Sequence, residues 1–143
     1  MRLFSGLRHL SIFIVLFASC SLAQRDVPDA VRTTFQAKYP GEDDPDWHRD
    51  DHGNFEAHFK TDGRHLRADF NPDGSWIETE ESIDKDDLPK AVRDWIEAEH
   101  ENDDITEIER VEHHSKGLFF DIEFKRKGKN LDVEVRENGT VIR

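Results

Sequence analysis

The sequence predicts an α+β fold made of two tandem units, each a helix followed by an antiparallel meander. Two amphipathic segments that begin at a proline are each followed by stretches in which apolar and polar residues alternate with a period of two. The two segments are related, since residues 26–32 (DVPDAVR) recur as residues 87–93 (DLPKAVR). Such self-similarity is typical of a duplicated supersecondary unit. We therefore divide the chain into a leader, 1–23, and two units, 24–83 and 84–143.

Each unit opens with a predicted helix. Pro28 and Pro89 suit the first helical turn, where a missing N–H group costs nothing. One face of each helix carries apolar residues spaced four apart: Val27, Val31 and Phe35 in the first, and Leu88, Val92 and Ile96 in the second. That spacing predicts a helix that packs one side against a core. Pro40 ends the first helix, because the residue before a proline avoids the helical region, and Asn102 is expected to end the second.

Strands are predicted after each helix. Apolar residues alternate with polar ones in four segments: Phe55, Ala57 and Phe59; Leu66, Ala68 and Phe70; Leu118, Phe120, Ile122 and Phe124; and Leu131, Val133 and Val135. Further strands around Trp47, Trp76, Ile108 and Val141 give each unit four strands. A period of two with one polar side is typical of an antiparallel sheet with one covered face. We expect the helices to cover the apolar face and the other face to be exposed to solvent.

The two units are expected to form one cooperative domain over residues 24–143. A unit of about 60 residues would bury only about 60% of the surface that its unfolded chain exposes, which is little for independent folding. Seven Phe, three Trp and one Tyr follow the leader, which is enough for a small shared core.

Residues 1–23 predict an export signal. Arg2 and Arg8 precede the apolar run 10–18, which is too short to span a bilayer, and small residues follow it. The leader therefore predicts a location outside the cytoplasm, in the periplasm or the medium.

Two processing sites fit this leader. Cleavage after Ala23 would leave Gln24 at the N-terminus, because residues 21–23 (SLA) suit a signal peptidase. Residues 17–20 (FASC) instead resemble a lipoprotein signal, with the lipid attached to Cys20. The second alternative would anchor the protein to the bacterial envelope.

Charge and composition exclude several classes of function. Residues 24–143 carry 18 basic and 32 acidic side chains, a formal charge of −14. Such an acidic surface repels nucleic acids and anionic membranes, so we expect no nucleic-acid partner and membrane contact only through a lipid anchor. The single cysteine excludes an internal disulfide and a multi-cysteine zinc site.

No enzyme activity and no cofactor are expected. The sequence contains no phosphate-binding loop and no Gly-x-Ser-x-Gly nucleophile elbow. Adjacent carboxylates such as Asp43 and Asp44 lie among other charges in predicted loops. Acid catalysis needs one carboxyl group that is kept neutral in an apolar pocket, and these loops do not offer one.

Several short motifs occur in a fixed order along the chain. They are Val27-Pro28-x-x-Val31 with Phe35 and Tyr39-Pro40-Gly41, Trp47, Phe55-x-x-x-Phe59, and Phe70-Asn71-x-Asp73-Gly74-x-Trp76, repeated in part as Leu88-Pro89-x-x-Val92 and Asn138-Gly139-x-Val141. Following an export signal, this order resembles the PepSY-like family of secreted bacterial proteins, also described as beta-lactamase-inhibitor-protein-like. The second unit departs from it, with residues 100–102 (HEN) in place of residues 39–41 (YPG). The resemblance implies a non-catalytic binding module, with restraint of an enzyme as one form of that function.

The predicted polar face of the sheet is the candidate binding surface. Phe119 shares this face with Asp121 and Glu123, and a large apolar residue on a solvated face can mark a partner surface, although single exposed aromatics are common. His58 and His65 flank a predicted turn and could face each other there. We expect this face to bind, and in one form to inhibit, a protein partner with a basic surface, because complementary charge speeds and orients association.

Calcium binding by the acidic turns of an envelope protein is the alternative function. Four residues match the spacing of a calcium-binding loop: Asp69, Asn71, Asp73 and Glu80. However, the alternation before Asp69 predicts a strand rather than the helix that enters such a loop, and Pro72 and Gly74 suit a hairpin turn. Histidines on a solvated strand face do not by themselves make a zinc site. We therefore expect no metal, with the calcium loop as the alternative.

Overall fold

Seven antiparallel strands form one sheet, and two helices pack on it. The computed structural model describes residues 23–142, so the predicted export signal and Cys20 lie outside the described residues. The helices are α1 (Asp29–Lys38) and α2 (Lys90–His100). The strands are β1 (Asp46–Arg49), β2 (Phe55–Thr61), β3 (Arg64–Phe70), β4 (Trp76–Ser82), β5 (Ile105–His113), β6 (Gly117–Phe124) and β7 (Leu131–Val135). They lie in the sheet in chain order, and the predicted α+β class is confirmed.

Each helix begins one residue after its proline, so Pro28 and Pro89 precede the first turn rather than lie in it. Arg32 Nη1 donates a hydrogen bond of 2.7 Å to the carbonyl oxygen of Val27, and Arg93 donates in the same way to Leu88. Each arginine thereby ties the first helical turn to the segment before it. The backbone N–H of Tyr39 donates to the carbonyl oxygen of Phe35 at 2.8 Å, which closes α1 at the predicted position.

An aromatic cluster joins α1 to the first half of the sheet. The apolar side of the helix contacts buried residues of β1, β2 and β3: Trp47, Phe55, Ala57, Phe59, Ala68 and Phe70. Phe35 is central, with its ring centroid 5.2 Å from Phe59 and 5.4 Å from Trp47 in edge-to-face geometry. Such aromatic pairs stabilise a core beyond the area they bury.

A more aliphatic cluster joins α2 to the second half of the sheet. Its members are Leu88, Val92, Ile96, Ile108, Phe120, Ile122, Phe124, Val133 and Val135. His100, the last residue of α2, stacks on Phe124 with ring centroids 4.1 Å apart, and its Nδ1 lies 2.7 Å from Asp103 Oδ2. In the first half, Tyr39 packs on Phe59 at 4.6 Å. A histidine thus replaces the tyrosine at the point where the two units differ in sequence.

The two halves meet through β4 and β5. Five residue pairs join these strands, from Glu78 and His113 at one end to Ser82 and Glu109 at the other. The backbone N–H of Ile83 extends the pairing with a hydrogen bond of 3.0 Å to the carbonyl oxygen of Ile108. Hydrogen bonding between strands is therefore continuous across the boundary between the units.

The fourth strand expected around Val141 is not formed in the described chain. Val141 makes a single bridge to Val135, and the backbone N–H of Ile142 donates to Glu134 at 2.8 Å. These contacts do not make a ladder, because a strand needs a longer run of paired residues. The second half therefore has three strands where four were predicted.

Two hairpin turns press against the helices, and each needs a glycine. Gly74 has φ +90°, and a Cβ atom there would lie 2.7 Å from the backbone of Ala30. Gly139 has φ +82°, and its Cβ atom would lie 2.9 Å from the carbonyl oxygen of Ala91. The absence of a side chain lets each turn approach the first turn of a helix.

We expect Phe59→Ala and Phe124→Ala each to lower the free energy of unfolding by about 3–5 kcal/mol, because both would leave cavities in a packed core. Phe59 is 8% exposed and Phe124 is fully buried. Urea unfolding followed by circular dichroism and tryptophan fluorescence measures the change, and Leu131→Ala, at an exposed position, is the control. Coincident single transitions are expected; two transitions, each shifted by only one variant, would contradict a single cooperative domain.

Gly74→Ala should lower the free energy of unfolding by about 2–5 kcal/mol, because it adds left-handed strain and a clash with Ala30. Gly128→Ala is the matched control, since Gly128 has φ +100° but no atom within 4 Å of its added Cβ. The control should cost only the strain, about 1–2 kcal/mol. Equal losses in the two variants would show that the close approach of the turn to α1 contributes nothing.

Candidate functional site

Carboxylates form rows across one side of the sheet. Strand register places Glu56, Asp69 and Glu78 directly opposite one another on β2, β3 and β4. Two further rows cross β5, β6 and β7: Glu109, Asp121 and Glu134; and Glu107, Glu123 and Asp132. Alternate residues of a strand point to opposite sides, so these nine side chains lie on the side away from the two core clusters. We call these nine residues the acidic face.

Like charges directly opposite each other destabilise a sheet, so the acidic face carries an electrostatic cost. Arg67 offsets part of it in the centre. Its Nε lies 3.7 Å from a carboxylate oxygen of Glu56, one Nη atom contacts Glu80, and the same atom lies 3.9 Å from Glu109. Lys116 offsets another part, because its Nζ lies 2.8 Å from Glu134.

Burial and crowding change the proton affinity of this face. Burial raises the pKa of Asp69 to about 7, with the nearby Glu56 carboxylate adding to the effect and Arg67 opposing it. Burial also raises the pKa of Glu109, again against the attraction of Arg67. These two carboxyl groups therefore hold protons at a higher pH than ordinary surface carboxylates do.

Phe119 lies on this side of the sheet, as expected, but the structure buries it. The residue is only 2% exposed. Lys116 Nζ lies 5.1 Å from the centre of its ring while also pairing with Glu134. The prediction of an exposed aromatic contact is therefore wrong: the ring is buried, and Lys116, which pairs with Glu134, lies over it. Asp121 and Glu123 belong to the acidic face, where Asn130 donates to Glu123 at 2.9 Å.

The histidines do not face each other as the sequence suggested. The two-residue turn between β2 and β3 pairs His58 with Arg67 and His65 with Lys60. His58 and His65 are therefore diagonal neighbours on one side of the sheet. His58 lies instead beside His48 of β1, with ring centroids 4.6 Å apart.

The four residues of the calcium-type loop do not come together as one set, although Asp69 and Glu80 approach each other. Asn71 and Asp73 lie in the β3–β4 hairpin turn, where Asp73 Oδ1 accepts hydrogen bonds of 2.8 and 2.7 Å from the backbone N–H and hydroxyl of Ser75. Asp69 and Glu80 lie on the strands. In the described chain, the acidic ligand group that comes together is Asp69, Glu78 and Glu80, whose oxygens lie within 4.8 Å of one another. Arg67 already contacts Glu80 in this group.

A cleft of about 760 Å³ lies on the other side of the sheet, between the two helices. Its charged walls are paired internally, with Arg64 3.2 Å from Glu81 and Arg110 3.0 Å from Glu112. Burial raises the pKa of Tyr39 in this cleft to about 12, so its phenol stays neutral and bonds to Thr79. Because these groups already satisfy one another, we place the candidate site on the acidic face.

Sequence analysis found Asp121 and Glu123 but missed Arg67, Glu56, Glu78 and Glu109. The alternation of β2 and β3 placed Glu56 and Arg67 on the polar side, which was the available signal for those two residues. Which charges stand opposite each other depends on strand register, and the register between β4 and β5 spans a helix. The acidic face can attract cations and basic side chains, and its raised pKa values couple that attraction to protons.

A sequence profile of the family described as "Putative beta-lactamase-inhibitor-like, PepSY-like" matches residues 53–143. None of the curated proteins matches the chain. Among solved structures, a BLIP-like protein from Bacteroides fragilis is 20% identical, with a TM-score of 0.71 over 81% of this chain and 83% of that one. A protein from Bacteroides ovatus is 22% identical, with a TM-score of 0.72 over 81% and 84%. One from Bacteroides eggerthii, described among "putative periplasmic proteins", is 21% identical, with a TM-score of 0.71 over 82% and 86%.

Protonation of Asp69 should make the protein more stable as the pH falls from 8 towards 5. A carboxyl group whose pKa is raised by folding binds its proton more tightly in the folded state, so its charged form destabilises the fold above pH 7. Asp69→Asn should therefore raise the free energy of unfolding at pH 8, by about 1–3 kcal/mol, and raise it less at pH 5, where the folded-state carboxyl is protonated but the unfolded-state carboxyl is still mostly ionised. Urea unfolding at both pH values measures this.

Burial lowers the pKa of His113, so protonation of this histidine makes the wild type less stable in acid, which is the opposite trend. Comparison with a second variant separates the effect of Asp69 from that of His113. Asp73→Asn is the matched control. Hydrogen bonds from Ser75 lower the pKa of Asp73, so its charged form stabilises the turn and the variant should lose stability at pH 8. If Asp69→Asn also lost stability at pH 8, the proposed cost of burying its charge would be refuted.

Proposed function

Because this chain belongs to the PepSY-like, beta-lactamase-inhibitor-like family, we propose that it is a non-catalytic, exported binding module whose acidic face binds a basic protein partner. The family suggests binding rather than catalysis, and the predicted polar side of the sheet supplies the surface. Inhibition of an enzyme is one form that this binding would take. The structural relatives are under 25% identical, so they support the fold and not the partner.

The carboxylate rows are the observation that carries this proposal. Glu56, Asp69 and Glu78 oppose one another on three adjacent strands, and the fold holds them there against their mutual repulsion. A partner that brings lysine or arginine side chains to this face would relieve that repulsion while forming its own ion pairs. Relief of repulsion in the free protein would therefore add to the free energy of binding.

The positive charges among these carboxylates would also make the acidic face selective among basic partners. Arg67 and Lys116 stand within the acidic face and would repel a badly placed cation. A basic partner must therefore place its cations away from Arg67 and Lys116. The positions that remain are the row that contains Glu107 and Glu123, and the surroundings of Asp69. Electrostatic complementarity of this kind mainly determines association rate and orientation.

We propose a location outside the cytoplasm. One structural relative is described as periplasmic, and the leader 1–23 has the features of an export signal. Cleavage before Gln24 and lipid attachment at Cys20 are the two forms of processing that fit. None of the helices among residues 23–142 has the length and apolar character needed to cross a membrane.

We further propose that the two halves are tandem copies of one unit. Arg32 and Arg93 bond to equivalent carbonyl groups before their helices. The turns at Gly74 and Gly139 each press on the first turn of a helix and close through equivalent backbone hydrogen bonds of 2.9 and 2.8 Å. Duplication of the helix and hairpins would give the wide sheet on which the acidic face is built.

Calcium binding is less well supported as a function. The turn uses the carboxylate of Asp73 for its own hydrogen bonds. Where carboxylates do approach one another, around Asp69, Arg67 competes with any cation. We keep calcium as an outcome of the test rather than as the proposal.

The test is to neutralise part of the acidic face and measure binding. A variant with Glu107→Gln, Asp121→Asn and Glu123→Gln removes three negative charges from this face. The matched control, Asp43→Asn, Asp44→Asn and Asp86→Asn, removes three from exposed positions elsewhere. The partner would be captured from envelope extract by the wild type, purified, and titrated against all three proteins by calorimetry.

We expect the face variant to bind about tenfold more weakly, since each exposed ion pair contributes about 0.2–1 kcal/mol. The control should bind within about twofold of the wild type, and salt should weaken wild-type binding. Equal binding by the face variant and the control would overturn the proposal. Calcium binding by the wild type that is lost on Asp69→Asn would favour the alternative.

A further inference from the structure

Two histidines and two carboxylates form a compact block at the β1 edge of the sheet. Register pairs Asp46 with His58 and His48 with Glu56, so the four residues occupy the corners of a two-by-two block on one side of two adjacent strands. The imidazole rings of His48 and His58 lie 4.6 Å apart between centroids. Directly opposite side chains on neighbouring strands have Cβ atoms only about 4.5–5.5 Å apart, so a change of side-chain rotamers can bring these functional groups together. In the present rotamers, no three of their ligand atoms lie within 4.8 Å of one another.

Each imidazole of this block already engages a carboxylate. His48 Nε2 lies 3.1 Å from Asp46 Oδ2, and His58 Nε2 contacts Glu56 Oε1. The side chains of His48 and Glu56 are mostly shielded, at 16% and 23% exposure, whereas Asp46 and His58 open to solvent at 60% and 47%. The block therefore has two anchored groups and two accessible ones.

We propose that Asp46, His48, Glu56 and His58 bind a divalent transition-metal ion of the zinc type. Imidazole nitrogen and carboxylate oxygen are both zinc ligands, and four of them satisfy a tetrahedral ion. Imidazole selects zinc, copper or nickel over calcium and magnesium, which prefer sites made of oxygen alone. Binding would rotate the imidazoles out of their present carboxylate contacts, so that ring nitrogens and carboxylate oxygens converge on the ion.

A second histidine pair does not offer the same chemistry. His113 and His114 also stack, with ring centroids 4.6 Å apart. Nδ1 of His113, however, lies 3.1 and 3.2 Å from the backbone N–H groups of Ser115 and Lys116, which donate to it. That nitrogen already accepts hydrogen bonds within the turn, whereas the two histidines of the block lie on strands β1 and β2.

The experiment is titration of the purified metal-free protein with Zn²⁺ by calorimetry, with Co²⁺ absorption as a second readout. We expect one site per chain with micromolar affinity, and the intense visible bands of tetrahedral Co²⁺. His48→Ala and His58→Ala should each weaken Zn²⁺ binding at least tenfold and abolish those bands. His65→Ala on the same side of the sheet, and His114→Ala in the second histidine pair, should bind within about twofold of the wild type.

Folding is checked separately by thermal unfolding in the presence of a chelator, and His48→Gln and His58→Gln replace the alanine variants if these fail to fold. Wild-type protein that does not bind Zn²⁺ below 100 µM would overturn the proposal. Binding that survives both His48 and His58 substitutions but is lost in His114→Ala would overturn it as well. No partner protein is needed, so the result is independent of the proposed binding function.

Discussion

The packing of two helices on one side of the sheet is the constraint on which the rest of the structure depends. The aromatic cluster around Phe35 and the aliphatic cluster around Ile96 both use strand residues that point to the same side of the sheet. Because side chains alternate along a strand, a slip of one residue would move an entire apolar set to the wrong side. Packing on one side thus fixes register, and register decides which polar residues stand opposite one another on the other side.

The acidic face lies on that second side. Polar residues on this side of a sheet do not pack against a core, so packing does not determine their charge. Three rows nevertheless place carboxylates directly opposite one another. Arg67 reaches three glutamates but neutralises only part of the repulsion. Burial raises the pKa of Asp69, and the carboxylate of Glu56 opposite it adds to the effect. Core stability, supplied by the apolar side, is what allows such a surface to exist.

The sequence predicted what depends on local patterns. Pro28 and Pro89 located both helices, and alternation around Phe59, Phe70 and Ile122 located the strands. The pairing of His58 with Arg67, rather than with His65 as expected, depends on the exact length of the turn between β2 and β3. The burial of Phe119 was not predictable in this way, because Lys116, which lies over its ring, comes from a turn and pairs with Glu134 on another strand. The approach of Arg67 on β3 to Glu109 on β5, at 3.9 Å, likewise depends on a pairing made across an entire helix.

The strict chain order of the strands has a consequence for how the molecule would assemble. Neighbours in the sheet are neighbours in the chain, so most pairings close over a short turn, such as the two residues between β2 and β3. The exception is β4 with β5, where residues 83–104, including α2, must be enclosed. Pairings that close a short loop cost little chain entropy and can form early, whereas the pairing of β4 with β5 closes a longer loop and forms later. The seam between β4 and β5 is therefore the natural last step of folding and the place where the native sheet would first open.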